Sequence, residues 1–281
     1  MATLPIKYNA KYRDFLFSWT GNKDREIGTI MDALQANGID LANIDTVVEG
    51  FGGSFALIRY LIRNNTPGKR YIVHDFDTDL IASYNAMKEE KTNAVVCEEL
   101  KAITPTLTKK IYADSIKSGI AGYILKHSVY AIRPGLFPVP VEGKAAKAPD
   151  YARMAAFTRY KDVDFIPGDF FPQLEKYKNN PRALVFLDPP YFLSSNDFYA
   201  AGLTDAIFTL IKNSGAYKCK ILFVINDHIL TRFFIETLQI PFISTEVHYS
   251  RSKKDANHIY FCNAPQLAPP TIPDVTPAAI N

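Results

Sequence analysis

The 281-residue sequence predicts an α/β protein built around a mostly parallel sheet, and three observations lead there. Short apolar, β-branched runs alternate with longer stretches of helical periodicity along most of the chain. Two of the early runs end directly in glycines or carboxylates, as strands do when they deliver a ligand-binding edge. Apolar residues make up 47% and charged residues 22%, with 19 Phe and 16 Tyr, so the chain buries a real core and is not disordered as a whole. The length fits one large domain carrying a sizeable insertion.

Taken in order, residues 46–51 (TVVEGF) predict a strand ending at the pair Gly52 and Gly53, followed by a helix over SFALIRYLIRN. Residues 69–76 (KRYIVHDF) predict a second strand ending at Asp75 and Asp77, and DLIASYNAMKEE a second helix. The pattern stays helical from about 94 to 125. Residues 126–150 then read as a loop, because Pro134, Pro138, Pro140 and Pro149 alternate with Gly135 and Gly143. Strands are predicted again at 162–166, 182–187 and 220–225, with two more near the end in FISTEVHY and HIYFC. LTRFFIETL (230–238) reads as the helix between the third of these and the terminal pair. Beyond Cys262, five prolines in the last 18 residues predict a tail (264–281) that holds neither a helix nor a central strand.

Several function classes are set aside by composition. No apolar run approaches the ~18–20 residues that span a bilayer, so no membrane partner is expected. The opening MATLPIKYNAKYRD has no apolar signal core, which predicts a chain that is not secreted. Cys97, Cys219 and Cys262 are widely spaced and form neither a zinc spacing nor an even disulfide set, so an intracellular, cytoplasmic setting with structural thiols is expected. The five histidines show no paired metal spacing, and no metal is expected. Charge is uneven. Residues 101–161 hold eleven Lys and Arg against three acidic residues, a local charge of +8 within a chain total of +3. Such asymmetry points to a basic face that meets a polyanion, with a solvated lysine-rich surface as the alternative.

The strongest single signal is Asp188-Pro189-Pro190-Tyr191, directly after the buried-strand pattern ALVFL. Chance alone gives this tetrapeptide about once per thousand chains of this length. Its chemistry suits an exocyclic adenine amine, a poor nucleophile because its lone pair is delocalised into the ring. A carboxylate (Asp188) and a main-chain carbonyl (Pro189) that accept the two amine protons localise that lone pair. Proline rigidity keeps the two acceptors side by side, and Tyr191 offers a flat face on which an extruded base stacks.

These residues, with six further motifs in the same order, resemble the Dam-type DNA adenine-N6 methyltransferases from about residue 15 to residue 263. FLFSWTGNK (15–23) matches the family's tryptophan-to-lysine motif and contains the only tryptophan, Trp19. Glu49 to Phe55 matches its glycine loop, HDFDTDLI (74–81) its second-strand acid, and Asp169-Phe170 the pair shortly before DPPY. Ile225-Asn226-Asp227 and Arg251-Ser252 match later positions. The resemblance implies a Rossmann-like S-adenosylmethionine-dependent methyltransferase fold with a mostly helical DNA-recognition insertion. It places the catalytic core at 10–80 and 160–263 and the basic insertion at 81–159. It implies catalysis by Asp188, Pro189, Pro190 and Tyr191. It further implies cofactor binding by Trp19, Lys23, Glu49, Phe51, Gly52, Gly53, Asp75, Asp169, Phe170 and Asp188, with S-adenosylhomocysteine as the product. Double-stranded DNA is the implied partner, held through Lys126, Tyr130, Arg133, Lys144 and Arg251, by a monomer or weak dimer.

Alternatives stay open on the residues themselves. Asp75 lies 23 residues after Gly52, a spacing that also suits a nicotinamide-binding fold, although GxGxxG is missing. The sequence departs from the family where Phe55 replaces a glycine, where Glu49 is followed by Gly50 rather than proline, and where the base-reading hairpin is shortened and lacks its asparagine. A bulky Phe55 in the cofactor pocket would fit a non-catalytic nucleic-acid-binding homologue, for instance a virus or phage component. An enzyme acting on adenine in RNA is a further alternative. Lys23 has a surface-lysine reading, and Asn226 and Asp227 have a simple reading as caps of the helix that follows.

Overall fold

The computed structural model describes residues 16, 21–66, 68–103, 119–129, 150–190, 203–248 and 255–263. The order of elements is α1 (Ile27–Ala36), β1 (Thr46–Glu49), α2 (Ala56–Arg63), β2 (Arg70–Asp75), α3 (Thr78–Lys88), α4 (Glu90–Ile103), α5 (Gly119–Val129) and α6 (Tyr151–Ala155). Then follow β3 (Val163–Pro167), α7 (Phe171–Leu174), β4 (Ala183–Leu187), α8 (Leu203–Asn213), β5 (Lys220–Asn226), α9 (Ile229–Thr237), β6 (Phe242–His248) and β7 (Asp255–Cys262).

Among the described residues the sheet has seven strands in the order β3-β2-β1-β4-β5-β7-β6. Strands β1 to β5 are mutually parallel, and β7 runs antiparallel to both β5 and β6. The strands are apolar on both faces because helices cover both, which is why they read in the sequence as continuous apolar runs. Val47, Val73, Phe186, Leu222 and Tyr260 face one core, shared with α1 to α6. Val48, Ile72, Val185, Phe223 and Ile259 face the other, shared with α7, α8 and α9. This three-layer α/β arrangement is Rossmann-like, as the sequence predicts.

The larger core is anchored by aromatic rings. Phe55 is fully buried, and its ring centroid lies 5.2 Å from those of Tyr84, Tyr160 and Phe165 and 5.9 Å from that of Phe157, all edge-on. To reach this place Phe55 adopts φ 39° and ψ 50°, a left-handed conformation that costs energy in any residue with a Cβ. The ring therefore points into the core, and the expectation that it fills a cofactor pocket is corrected.

One other expectation is revised. Residues 126–129 are the last turn of α5 rather than loop, since the proline-rich run that dominates this stretch begins only afterwards. Residues 130–149 and the tail from 264 lie outside the described residues. The three cysteines are free and buried. No helix among the described residues is long and apolar enough to cross a membrane. Truncating Phe55 to Ala should lower stability by about 3–5 kcal/mol, because the ring fills a well-packed site. Urea unfolding at neutral pH checks this, and a loss below about 1 kcal/mol would show that the aromatic cluster collapses around the gap.

Candidate functional site

Strand order sets where a ligand can bind. The chain steps from β1 to β2 to β3 in one direction and then crosses back to β4 on the other side of β1. The loops leaving the carboxyl ends of β1 and β4 therefore diverge, opening a crevice at the head of the sheet. Glu49 to Ser54 leave β1 there, Asp75 ends β2, Asp188-Pro189-Pro190 leave β4, and Asn226 ends β5. Because β7 is reversed, its beginning comes to this edge, with His258 in register with Asn226.

The β1–α2 loop fits its place only as glycine. A Cβ on Gly50 would come within 2.6 Å of Leu187 Cδ2 and 2.7 Å of Phe170 Cδ1, and one on Gly52 within 2.3 Å of Val73 Cγ1. This explains Gly50 where a proline is expected from the resemblance: the Phe170 ring already occupies the space. Asp75 clasps the loop. Its Oδ2 accepts the Gly53 N–H at 2.7 Å and its Oδ1 the Asp77 N–H at 2.9 Å. Burial nevertheless keeps the Asp75 carboxyl above the usual aspartate range, against the pull of those two amides. Glu49 is buried and accepts the Ile58 N–H at 2.7 Å, capping the first turn of α2. Burial, opposed by the Ile58 amide and Arg59 and reinforced by Asp188, pushes Glu49 up to about 8.

Lys23 is where sequence reasoning undersold the site. It is only 3% exposed, and its Nζ sits 2.5 Å from Asp188 Oδ2 while donating to the Gly21 carbonyl at 2.9 Å. The surface-lysine reading is thereby overturned. Burial raises the Asp188 carboxyl, Lys23 pulls it back, Glu26 raises it further, and the net displacement is upward. Glu26, one turn after Lys23, is buried and receives the Tyr260 hydroxyl at 2.5 Å and contacts His258 Nδ1 at 2.7 Å. For Glu26 burial works against ionisation, but His258, Lys23 and Tyr260 outweigh it and hold the carboxyl below the usual range. Glu26, His258 and Tyr260 were not singled out from the sequence. The signal that would have found them is a histidine inside the otherwise apolar strand pattern HIYFC.

The other predicted residues are placed unevenly. Phe170 is 2% exposed, with its ring 6.3 Å from Phe51 and 5.7 Å from His74, so it forms apolar floor beneath the loop. Asp169 is exposed and accepts the Phe171 N–H at 3.1 Å, starting α7. Trp19, Tyr191, Tyr130, Arg133, Lys144 and Arg251 lie outside the described residues, as does the side chain of Lys126 in α5. Asp227 does not cap α9. It binds Arg232 and accepts the Ser244 hydroxyl at 2.7 Å, while His228 Nδ1 accepts the Leu230 N–H at 3.2 Å as the cap. Among the described residues no group of three or more His, Cys, Asp or Glu is placed to hold a metal ion.

The helices near the basic stretch connect to this edge. In α5, the Tyr123 hydroxyl donates to Asp77 Oδ2 at 2.7 Å, and Asp77 Oδ1 caps α3 by accepting the Leu80 N–H at 2.9 Å. Tyr84 in α3 donates to the Gly53 carbonyl at 2.5 Å. The glycine loop, the second-strand acid and α5 thus share one hydrogen-bonded chain.

No protein-family model matches the chain, and no curated protein matches it. Among solved structures, the N-terminal domain of human METTL16 in complex with SAH is similar at 7% identity and a TM-score of 0.39, over 88% of this chain and 72% of that one.

The raised Glu49 gives a signed pH dependence. A glutamate in the unfolded chain ionises near 4.5, whereas Glu49 in the fold holds its proton to about 8, so the folded state binds more protons in between. Its contribution to stability is therefore complete below about pH 4.5 and is lost as pH rises toward 8. Glu49→Gln should flatten this part of the stability profile and gain on the wild type as pH increases. Urea midpoints across that range decide it, and a constant difference between the two proteins would mean that Glu49 is ionised in the fold throughout.

Proposed function

We propose that the chain is an S-adenosylmethionine-dependent methyltransferase that methylates the exocyclic amine of adenine, with DNA as substrate and the target base flipped out of the helix. The observation that carries this reading is the emergence of Asp188-Pro189 from β4 at the switch point, with the glycine loop and Asp75 on the strands beside it. The local architecture fits the cofactor. Side chains are excluded at Gly50 and Gly52, a carboxylate ends β2, and Phe76 beside it is 80% exposed. Asp75, with a second lone pair on each oxygen, would bind ribose hydroxyls, the Gly52–Gly53 backbone would lie against the cofactor, and Glu49 would border its methionine end.

When bound, S-adenosylmethionine supplies an electrophilic methyl group on a sulfonium and leaves as S-adenosylhomocysteine. The Asp188 carboxylate and the Pro189 carbonyl accept the two N–H bonds of the adenine amine, drawing its lone pair out of the ring. As the amine takes up the methyl group, its surplus proton would pass to the Asp188 carboxylate and on to solvent. Burial raises the basicity of Asp188, which suits an acceptor in this role. The non-catalytic alternative drew on Phe55, and that support disappears with the ring in the core. DNA contact is proposed for the basic insertion, through Lys126, Tyr130, Arg133 and Lys144, and for Arg251.

Asp188→Ala should reduce methyl transfer by at least ~100-fold while leaving nucleic-acid binding nearly intact, because its interaction is realised in the transition state. Transfer of labelled methyl from S-adenosylmethionine to adenine-containing duplex DNA, single-stranded DNA and RNA measures both the effect and the substrate class. Equal activity in Asp188→Ala would sink the mechanism, and transfer confined to RNA would move the substrate. If about four cations of 101–161 meet phosphates, log affinity for DNA should fall with log salt at a slope near −3.6. A flat salt response would remove the insertion as the DNA-binding face.

A further inference from the structure

Asp188 sits in acidic company. From the turn before α1 comes Glu26, from β1 comes Glu49, and both act to raise its carboxyl or are raised by it. Facing these are Lys23 at 2.5 Å, His258 from β7, and Arg59 from α2, which acts on Glu49. Arg59 itself is committed elsewhere: it is fully buried, with its guanidinium 2.6 Å from Asp24 and its Nε donating to the Ser54 carbonyl at 2.7 Å. Lys23 is thus the cation in direct contact with the carboxylate.

Lys23 is in turn held from behind. The Glu26 N–H donates to the Lys23 carbonyl at 2.9 Å and closes the short 3-10 turn Lys23–Arg25. The Glu26 carboxylate is fixed by His258 and Tyr260, both fully buried in β7. Two polar side chains of a terminal strand therefore grip a carboxylate from the opposite end of the sequence, and the grip positions the turn that carries Lys23. A folded domain has no need of such a cluster for stability alone, since a buried ion pair is a weak stabiliser compared with apolar packing.

We propose that Lys23 is a positioning residue for the amine-activating carboxylate: its ammonium holds Asp188 through Oδ2 and leaves Oδ1 to receive the substrate amine, with Glu26, His258 and Tyr260 holding Lys23 in that place. This rests on the methyltransferase reading for the use made of Asp188, but the coupling between Lys23 and Asp188 is measurable without substrate. It also moves Lys23 from the cofactor side of the site, where the family resemblance puts it, to the acceptor side.

The experiment combines two readouts on the full chain with Lys23→Met, Lys23→Arg and Glu26→Gln. In the first, aspartate carboxyl carbons are labelled with carbon-13 and the Asp188 signal is assigned by its loss in Asp188→Asn. Removing the ammonium leaves Asp188 facing Glu26 and Glu49 with only the more distant His258 opposing them, so its titration in Lys23→Met should move to higher pH, while Lys23→Arg stays close to wild type. In the second, Lys23→Met should lower kcat for methyl transfer about 10- to 100-fold near neutral pH, as expected for losing a charged hydrogen bond. The deficit should shrink as pH rises and Asp188 ionises unaided, with the KM for S-adenosylmethionine little changed. Lys23→Arg should restore most of the rate, and Glu26→Gln should fall between.

An unchanged Asp188 titration in a folded Lys23→Met protein would overturn the proposal, as would a rate deficit that is the same at every pH or one expressed in KM for the cofactor. Should Lys23→Met fail to fold, Lys23→Gln, which keeps a polar side chain of similar reach without the charge, carries the same prediction, and an Asp188 titration and pH profile identical to wild type there would also overturn it. A wild-type chain that methylates neither DNA nor RNA would overturn the functional reading instead, and the carbon-13 arm would still decide the Lys23–Asp188 coupling.

Discussion

The turn between β1 and α2 is the constraint on which the rest of this structure depends. Within six residues the chain must leave β1, pass across the ends of its neighbours and start a helix that packs back on the sheet. Gly50 and Gly52 allow the close passes over Leu187, Phe170 and Val73, where any side chain would collide. Phe55 then takes a left-handed conformation that it would avoid in isolation, and the surrounding rings of Tyr84, Phe157, Tyr160 and Phe165 over-determine it. The apolar core therefore fixes the geometry of a polar edge. Strain in the loop is offset by aromatic packing one layer below.

That fixed edge holds three carboxylates in buried places. Glu49, Asp75 and Asp188 all sit at strand ends with raised carboxyls, each for the same leading reason, burial, and each restrained by a different donor. Glu49 has a helix amide, Asp75 two loop amides and Asp188 a lysine. Three donor types restrain three carboxylates, of which the first holds a helix, the second clasps a loop and the third is the one proposed to accept from an amine.

Much of this was legible in the sequence, and the reasons are local. Doubly covered parallel strands must be apolar on both faces, so TVVE, RYIVHD and ALVFL announce themselves, and the residues that follow them must be at the crevice. Gly52, Asp75 and Asp188 were found in that way. The short helix before β1 and the helix Leu203–Asn213 were not singled out, because neither is bordered by a motif that calls for one. The end of α5 was misread because prolines a few residues downstream outweighed a helical pattern that continues to Val129. The pairings Lys23–Asp188 and Glu26–His258 left at most one half visible, such as the histidine that opens the apolar strand HIYFC, and nothing local named the partner. A buried ion pair is written in two places, and neither half differs from a surface charge until the fold brings them together.

The grip of β7 on Glu26 has a bearing on how the molecule is assembled. Glu26 and His258 are 232 positions apart in the chain, so this contact is among the longest-range that the fold contains. Pairings of that span carry the greatest loop-closure entropy and form late, after local helices and neighbouring strands have set. During synthesis the first half of the crevice is made well before the strand that completes it. A nascent or C-terminally clipped chain would own the glycine loop, Asp75 and Asp188, yet lack the tether that seats the lysine. Completion of the chain thereby completes the setting of the Lys23–Asp188 pair as well as the sheet.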